Sequence, residues 1–215
     1  GKVVQAGAKF GYDIRVVNAT AEFTQKQTEV QSILLNSVYS SSSEDNWNKI
    51  ISRDGNNWFH VFTIDKGKKD GIQVDMNVIA GNGLVGIVSE VGESYAKVRA
   101  IIDDKSNVSA MFQDTGETCI VKGNMESIYK GYIDIEMISN TAKIKDGDEV
   151  VTSHVSDKFL QGLSVGYVKD IVSDPSSQTK TAHLIPSVNF DQLENVLVIT
   201  QLKDNSEIKD IKNYD

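Results

Sequence analysis

From Trp47 to Thr200 the chain is written in short β-branched runs, broken by turn residues roughly every ten positions. The runs are WFHVFTI (58–64), MNVIA (76–80), LVGIVSEV (84–91), AKVRAII (96–102), NVSAMFQ (107–113) and TCIVKG (118–123). A second series follows: YKGYIDIEM (129–137), DEVVTS (148–153), SVGYVKDIV (164–172), TKTAHLIP (179–186) and NVLVIT (195–200). Runs this short cannot be long helices, and many strands with regular turns predict an all-β sandwich or barrel. VRAII and VLVIT are apolar enough to be central strands, whereas YIDIEM alternates and predicts one wet face.

One phrase is written twice. GNGLVGIVSEVG (81–92) returns as QGLSVGYVKDIV (161–172). Asp70-Gly71 aligns with Asp146-Gly147, Gly83-Leu84 with Gly162-Leu163, and Gly86 with Gly166. Each copy reads as a turn, a strand, a Gly-Leu corner and a twisted strand holding a glycine. Glycine inside a strand permits a bulge or a sharp barrel corner. The repeat therefore predicts the corners of two similar small barrels.

Before this region the texture differs. Phe23, Val30, Ile33, Leu34, Leu35 and Val38 recur at three- and four-residue steps over 20–39 and predict an amphipathic helix. SSSSEDN (40–46) reads as a linker, and residues 1–19 as a loosely held leader. The final QLKDNSEIKDIKNYD (201–215) is charged and is expected to fray.

Composition narrows the chemistry. Thirty acidic against 22 basic residues leave a net charge of −8, which does not suit a nucleic-acid binder. Cys119 is the single cysteine, so no internal disulfide forms. The histidines His60, His154 and His183 have no partners at metal-ligand spacing, so no metal site is expected. No cofactor motif appears either. GNG (81–83) reads as a hairpin turn and DDKSN (103–107) as a plain turn. GLSVG (162–166) matches a nucleophile-elbow pattern at Ser164, but such an elbow needs a helix directly after the serine. YVKDIV follows and alternates as a strand, so no catalytic residue is assigned. Phe159 and Leu160 lie in the loop-like SDKFLQG and are the candidate partner-binding residues.

The segment RDGNNWFHVFTIDKGKKDGIQVDMNVIAGNGLVGIVSEVG resembles the extracytoplasmic part of the rod shape-determining protein family MreC. That family reads R-D-P-x-x-W-F-x-x-F-x-I-D-K-G, a D-G turn, then G-L-V-G-x-V. Arg53, Asp54, Trp58, Phe59, Phe62, Ile64, Asp65, Lys66 and Gly67 match. KDGDEVVTSHVSDKFLQGLSVGYVKDI is similar to its second signature, and PSVNFDQLENVLVI to its closing one. Gly55 and Leu160 stand where the family usually has proline.

The resemblance implies a fold that is mainly β, with two small barrels of trypsin-like topology, preceded by an N-terminal helix and without a protease site. It implies a membrane-anchored protein on the outer face of the cytoplasmic membrane. Such a protein is a non-enzymatic scaffold of the cell-elongation machinery. It binds a class B penicillin-binding protein and other membrane partners, and it can self-associate as a dimer. The strand tally adds an expectation about domains. After a leader and helix (1–46), residues 47–68 plus 126–203 form one barrel, 69–125 form an inserted barrel, and 204–215 fray. A simple sequential pair of barrels is the alternative. A serine hydrolase using Ser164 and a periplasmic adaptor of a transport complex are the competing functions.

Overall fold

The computed structural model describes residues 16–17, 48–53, 60–173 and 178–204. The expected helix at 20–39, the Trp58–Phe59 pair and the tail beyond Asp204 lie outside the described residues. The described fold is mainly β: one hydrogen-bonded network of strands with short helical turns.

The first six strands in chain order are β1 (Val16–Val17), β2 (Asn48–Arg53), β3 (Val61–Ile64), β4 (Asn77–Ala80), β5 (Gly83–Val91) and β6 (Ala96–Ala100). The rest are β7 (Asn107–Phe112), β8 (Thr118–Lys122), β9 (Ile133–Ser139), β10 (Glu149–Thr152), β11 (Ser164–Ser173), β12 (Thr179–Pro186) and β13 (Asn195–Ile199). The expected strand runs fall on these elements with small shifts at their ends. YKGYIDIEM is the exception at its start. Asn124 accepts the backbone N–H groups of Glu126 and Ser127 and so caps a short helix α1, Met125–Tyr129, which delays the strand to Ile133. The leader was expected to be loosely held, yet Val16 and Val17 pair with Ile199 and Val198.

Six strands close into a barrel through antiparallel pairs β2–β3, β3–β6, β6–β5, β5–β4, β4–β13 and β13–β2. Strands β7 to β12 are paired in a second cycle, β7–β8–β9–β12–β11–β10–β7. We call these the first and second rings. They meet at one parallel rung, Ser164 opposite Gly83.

These pairings differ from the expected division, in which 69–125 is inserted into 47–68 plus 126–203. Strands β4 to β6 bond to β3 and β13, whereas β7 and β8 bond to β9 and β10. The break falls at the connector 101–106, which buries Ile101, Ile102, Asp103 and Ser106. It is held where the Asp103 carbonyl lies only 2.0 Å from the point a Cβ on Gly123 would occupy. The return connector buries Val188, Phe190 and Leu193. Buried residues of both rings and both connectors form one apolar cluster.

The duplicated phrase is a structural repeat. Val78 faces Gly86 and Val150 faces Gly166, and a bulge follows each pair on the same side. Both glycines allow a neighbouring strand to approach. A Cβ would lie 2.0 Å from the Arg99 carbonyl oxygen at Gly86 and 2.2 Å from that of Ile185 at Gly166. The expected match of Asp70-Gly71 with Asp146-Gly147 is corrected by the hydrogen bonds. Gly147 donates to the carbonyl of Val168, as Asp75 donates to that of Val88. Asp75 therefore occupies the place of Gly147, and both are left-handed, at φ 68° and 87°.

Candidate protein-interaction groove

The most exposed large apolar side chains of the described residues include Met137 (67%) and Val155 (58%), and both line one groove. The groove is cut into the second ring where β8 and β9 part company. Their register runs through Lys122–Asp134, Val121–Ile135 and Ile120–Glu136 and stops there. Thr118 and Cys119 then stand on one wall and Met137 on the other, around a volume of about 190 Å³. Ala110 and Ile120 line it as well, so most of its surface is apolar. Met137 and Thr118 also border a neighbouring cleft of about 600 Å³ lined by Glu117, Ser139, Thr141 and Gln178.

A β-bulge exposes Met137. Against β12, Lys180 faces Ile138 and Ala182 faces Ile135, which leaves Glu136 and Met137 together opposite Thr181. The extra residue takes φ 60°, a left-handed conformation that is costly for a side chain with no local hydrogen bond to offer. The phase of the strand reverses as a result: Ile133, Ile135 and Ile138 are buried while Met137 is turned outward. A flexible thioether in this position adapts to many apolar surfaces.

Cys119 is buried beside this groove. Burial pushes its thiol up from 9.0 to about 12, so it behaves as a small apolar group.

The residues singled out in the sequence lie elsewhere. Phe159 and Leu160 were expected to be exposed partner contacts, but they are 5% and 1% exposed and belong to the shared core. Their loop is pinned from within: Ser156 Oγ accepts the Phe159 N–H at 2.9 Å, and Thr152 Oγ1 donates to the Leu160 carbonyl. Buried side chains held in this way offer no face to a partner.

Ser164 begins a strand of ten residues, so the helix an elbow needs is replaced by β11. The register corrects the expected match of Gly83-Leu84 with Gly162-Leu163 by one residue: Ser164, not Leu163, takes the position of Leu84. It is 3% exposed and donates to Glu149 Oε1 at 2.8 Å, with Ser187 Oγ at 2.9 Å. His183 faces Lys169, five residues along β11 from Ser164, a separation of about 15 Å. Its ring stacks on Tyr132 at 3.7 Å and its Nδ1 lies 3.6 Å from Asp170. His60 Nδ1 contacts Asp103 Oδ2 at 3.0 Å, and the carbonyl of His154 accepts from Lys203 Nζ. Nothing in this placement assembles an acyl-transfer site around Ser164.

The family model for rod shape-determining protein MreC, barrel core, matches residues 50–200. The cell shape-determining protein MreC of Listeria monocytogenes is 32% identical over 158 residues, covering 70% of this chain and 51% of that protein. The Bacillus subtilis protein of the same name is 29% identical, covering 71% and 55%. The chain thus spans about half the length of these curated relatives. Among solved structures, MreC from Pseudomonas aeruginosa superposes with a TM-score of 0.65 at 26% identity, over 71% of this chain and 97% of that one. The major periplasmic domain of a cell shape-determining filament MreC gives a TM-score of 0.60 at 22% identity, over 71% and 92%. MreC in a complex with penicillin-binding protein PBP2 from Helicobacter pylori gives 0.56 at 17%, over 72% and 96%. The curated relatives are cell shape-determining proteins. With the family model matched along both rings and both connectors, this chain belongs to the rod shape-determining protein MreC family.

Proposed function

We propose that this chain is a non-enzymatic scaffold of the bacterial cell-elongation machinery. It acts on the outer face of the cytoplasmic membrane and binds the ectodomain of a class B penicillin-binding protein through the Met137–Val155 groove. The observation that carries the site is the coincidence, in one groove, of a left-handed non-glycine bulge with two strongly exposed apolar side chains. Backbone strain of this kind clusters at functional sites. The choice of partner is supported by the complex that the Helicobacter pylori relative forms. The extracytoplasmic placement is supported by the periplasmic domain that this fold resembles. We read the two rings as two barrel domains, an outer one of 48–100 plus 195–199 and an inner one of 107–186. Support for this comes from the two pairing cycles, each with its own copy of the glycine phrase. Self-association and contacts with further membrane partners belong to the same reading.

Binding of the purified partner ectodomain, measured by titration calorimetry, tests the proposal. Met137→Gly is the informative variant. It removes the side chain while suiting φ 60°, so stability stays within about 1 kcal/mol of the parent. The dissociation constant is expected to rise about tenfold or more, as for a central apolar anchor. Absence of saturable binding by the folded parent chain would refute the partner. Unchanged affinity in a Met137→Gly, Val155→Asp double variant would refute the site.

A further inference from the structure

The loop between β10 and β11 forms part of the groove at one end and reaches the first ring at the other. Ser153 and Val155 line the groove. Three and five residues further on, Lys158 and Leu160 meet Asn77, which sits on β4 between Ile87 and Ile199. Asn77 is 1% exposed. Its Oδ1 accepts the Leu160 N–H at 2.7 Å, and its Nδ2 donates to the Lys158 carbonyl at 3.0 Å and to the Asp75 carbonyl at 3.3 Å. One primary amide thus bonds both the donor and the acceptor of a loop that belongs to the other ring. An amide is the side chain suited to this task, since it offers an acceptor and two donors without charge.

The loop transmits this grip because serines tie its short turns together. Ser153 Oγ accepts the Val155 N–H at 3.2 Å, and the Ser153 carbonyl accepts the Ser156 N–H at 3.3 Å. Ser156 Oγ in turn accepts the N–H groups of Lys158 and Phe159, at 3.3 and 2.9 Å. Phe159 and Leu160 are packed in the common core and cannot swing. The Lys158 ammonium adds an exposed ion pair to Asp75 at 3.5 Å.

We propose that Asn77 is a positioning residue through which the first ring sets the place of Val155, and with it the shape of the groove in the second ring. Asn77 itself touches no partner. Any binding consequence rests on the groove reading above, but the structural link does not.

Two measurements separate the claims. The first is amide hydrogen exchange in the parent chain and in Asn77→Ala and Asn77→Asp. Leu160 N–H is expected to exchange as slowly as core amides of β10 in the parent. In both variants the Leu160 and Val155 amides should exchange at least about tenfold faster, while β7 and β8 amides keep their protection. Asn77→Asp retains an acceptor for Leu160 but sets a carboxylate against the Lys158 carbonyl, so it should release Val155 as well. Fast exchange of Leu160 in the parent, or a variant in which Leu160 is released and Val155 is not, overturns the link, and the parent result alone decides the matter if neither variant folds.

The second measurement is partner affinity. Asn77→Ala is expected to weaken binding about threefold to tenfold through loss of preorganisation. Unchanged affinity in Asn77→Ala beside a weakened Met137→Gly overturns the coupling and leaves the groove standing. Unchanged affinity in both overturns the groove and leaves the exchange result to decide the latch.

Discussion

Replacing Gly86 or Gly166 by alanine tests the idea that the duplicated phrase exists to let strands touch. At Gly86 the added Cβ would sit 2.0 Å from the carbonyl oxygen and 2.8 Å from the carbonyl carbon of Arg99, and 2.8 Å from Cα of Ala100. All three are backbone atoms in a paired strand, so no side chain can swing clear. A carbon–oxygen contact needs about 3.3 Å, so the strands must separate by roughly 1.3 Å. Overpacking of this kind costs about 3 kcal/mol, and the lower entropy of an unfolded alanine returns about 0.5 kcal/mol. The net loss is about 2.5 kcal/mol. With a urea dependence of about 2 kcal/mol per molar, the unfolding midpoint falls by about 1.2 M at constant slope. Gly166 predicts a similar loss, since its Cβ would meet the Ile185 carbonyl oxygen at 2.2 Å. Gly81 is the control: its φ is 54° and nothing lies within 4 Å, so Gly81→Ala costs about 1 kcal/mol from backbone strain alone. Midpoints for the Gly86 and Gly166 variants no lower than that of Gly81→Ala would refute the close-approach argument.

Further outcomes follow from Cys119 and Ser164, both of them buried. Cys119, with its thiol raised to about 12, should react with iodoacetamide at pH 8 about a thousandfold more slowly in the folded chain than in urea. A raised thiol favours the protonated form on folding. Its contribution to stability is therefore intact below pH 9 and declines as pH rises from about 9 toward 12, which a pH series of urea midpoints would register. Ser164→Ala removes the bond to Glu149 and should lower stability by about 1–2 kcal/mol. A fluorophosphonate probe should label neither form; labelling of the parent chain alone would revive a hydrolase.

Much of the architecture was legible because it is local. Alternation, turn residues and β-branched runs located most strands within two or three residues, and the glycines marked real close approaches at Gly86 and Gly166. The groove was less visible, although YIDIEMIS held a clue. Strict alternation would bury Met137 with Ile133 and Ile135, and the apolar Ile138 directly after it is the sign of a phase break. Phe159 and Leu160 misled because their loop looks exposed in sequence. The amide that fixes it, Asn77, is 83 residues away from Leu160.

The sequence by itself determined the class of fold, the positions of β3 to β13 and the family, since all three rest on short-range patterns read along the chain. Only the tertiary structure decided which strands share a ring. A strand carries the same donors and acceptors on its edges whatever its neighbour, so the local pattern along the chain does not specify its partner. The two connectors between the rings are anchored by contacts distant in sequence, the close approach of Gly123 to the Asp103 carbonyl and the burial of Phe190. The exposure of Met137 is likewise a product of the two-against-one pairing of β9 with β12.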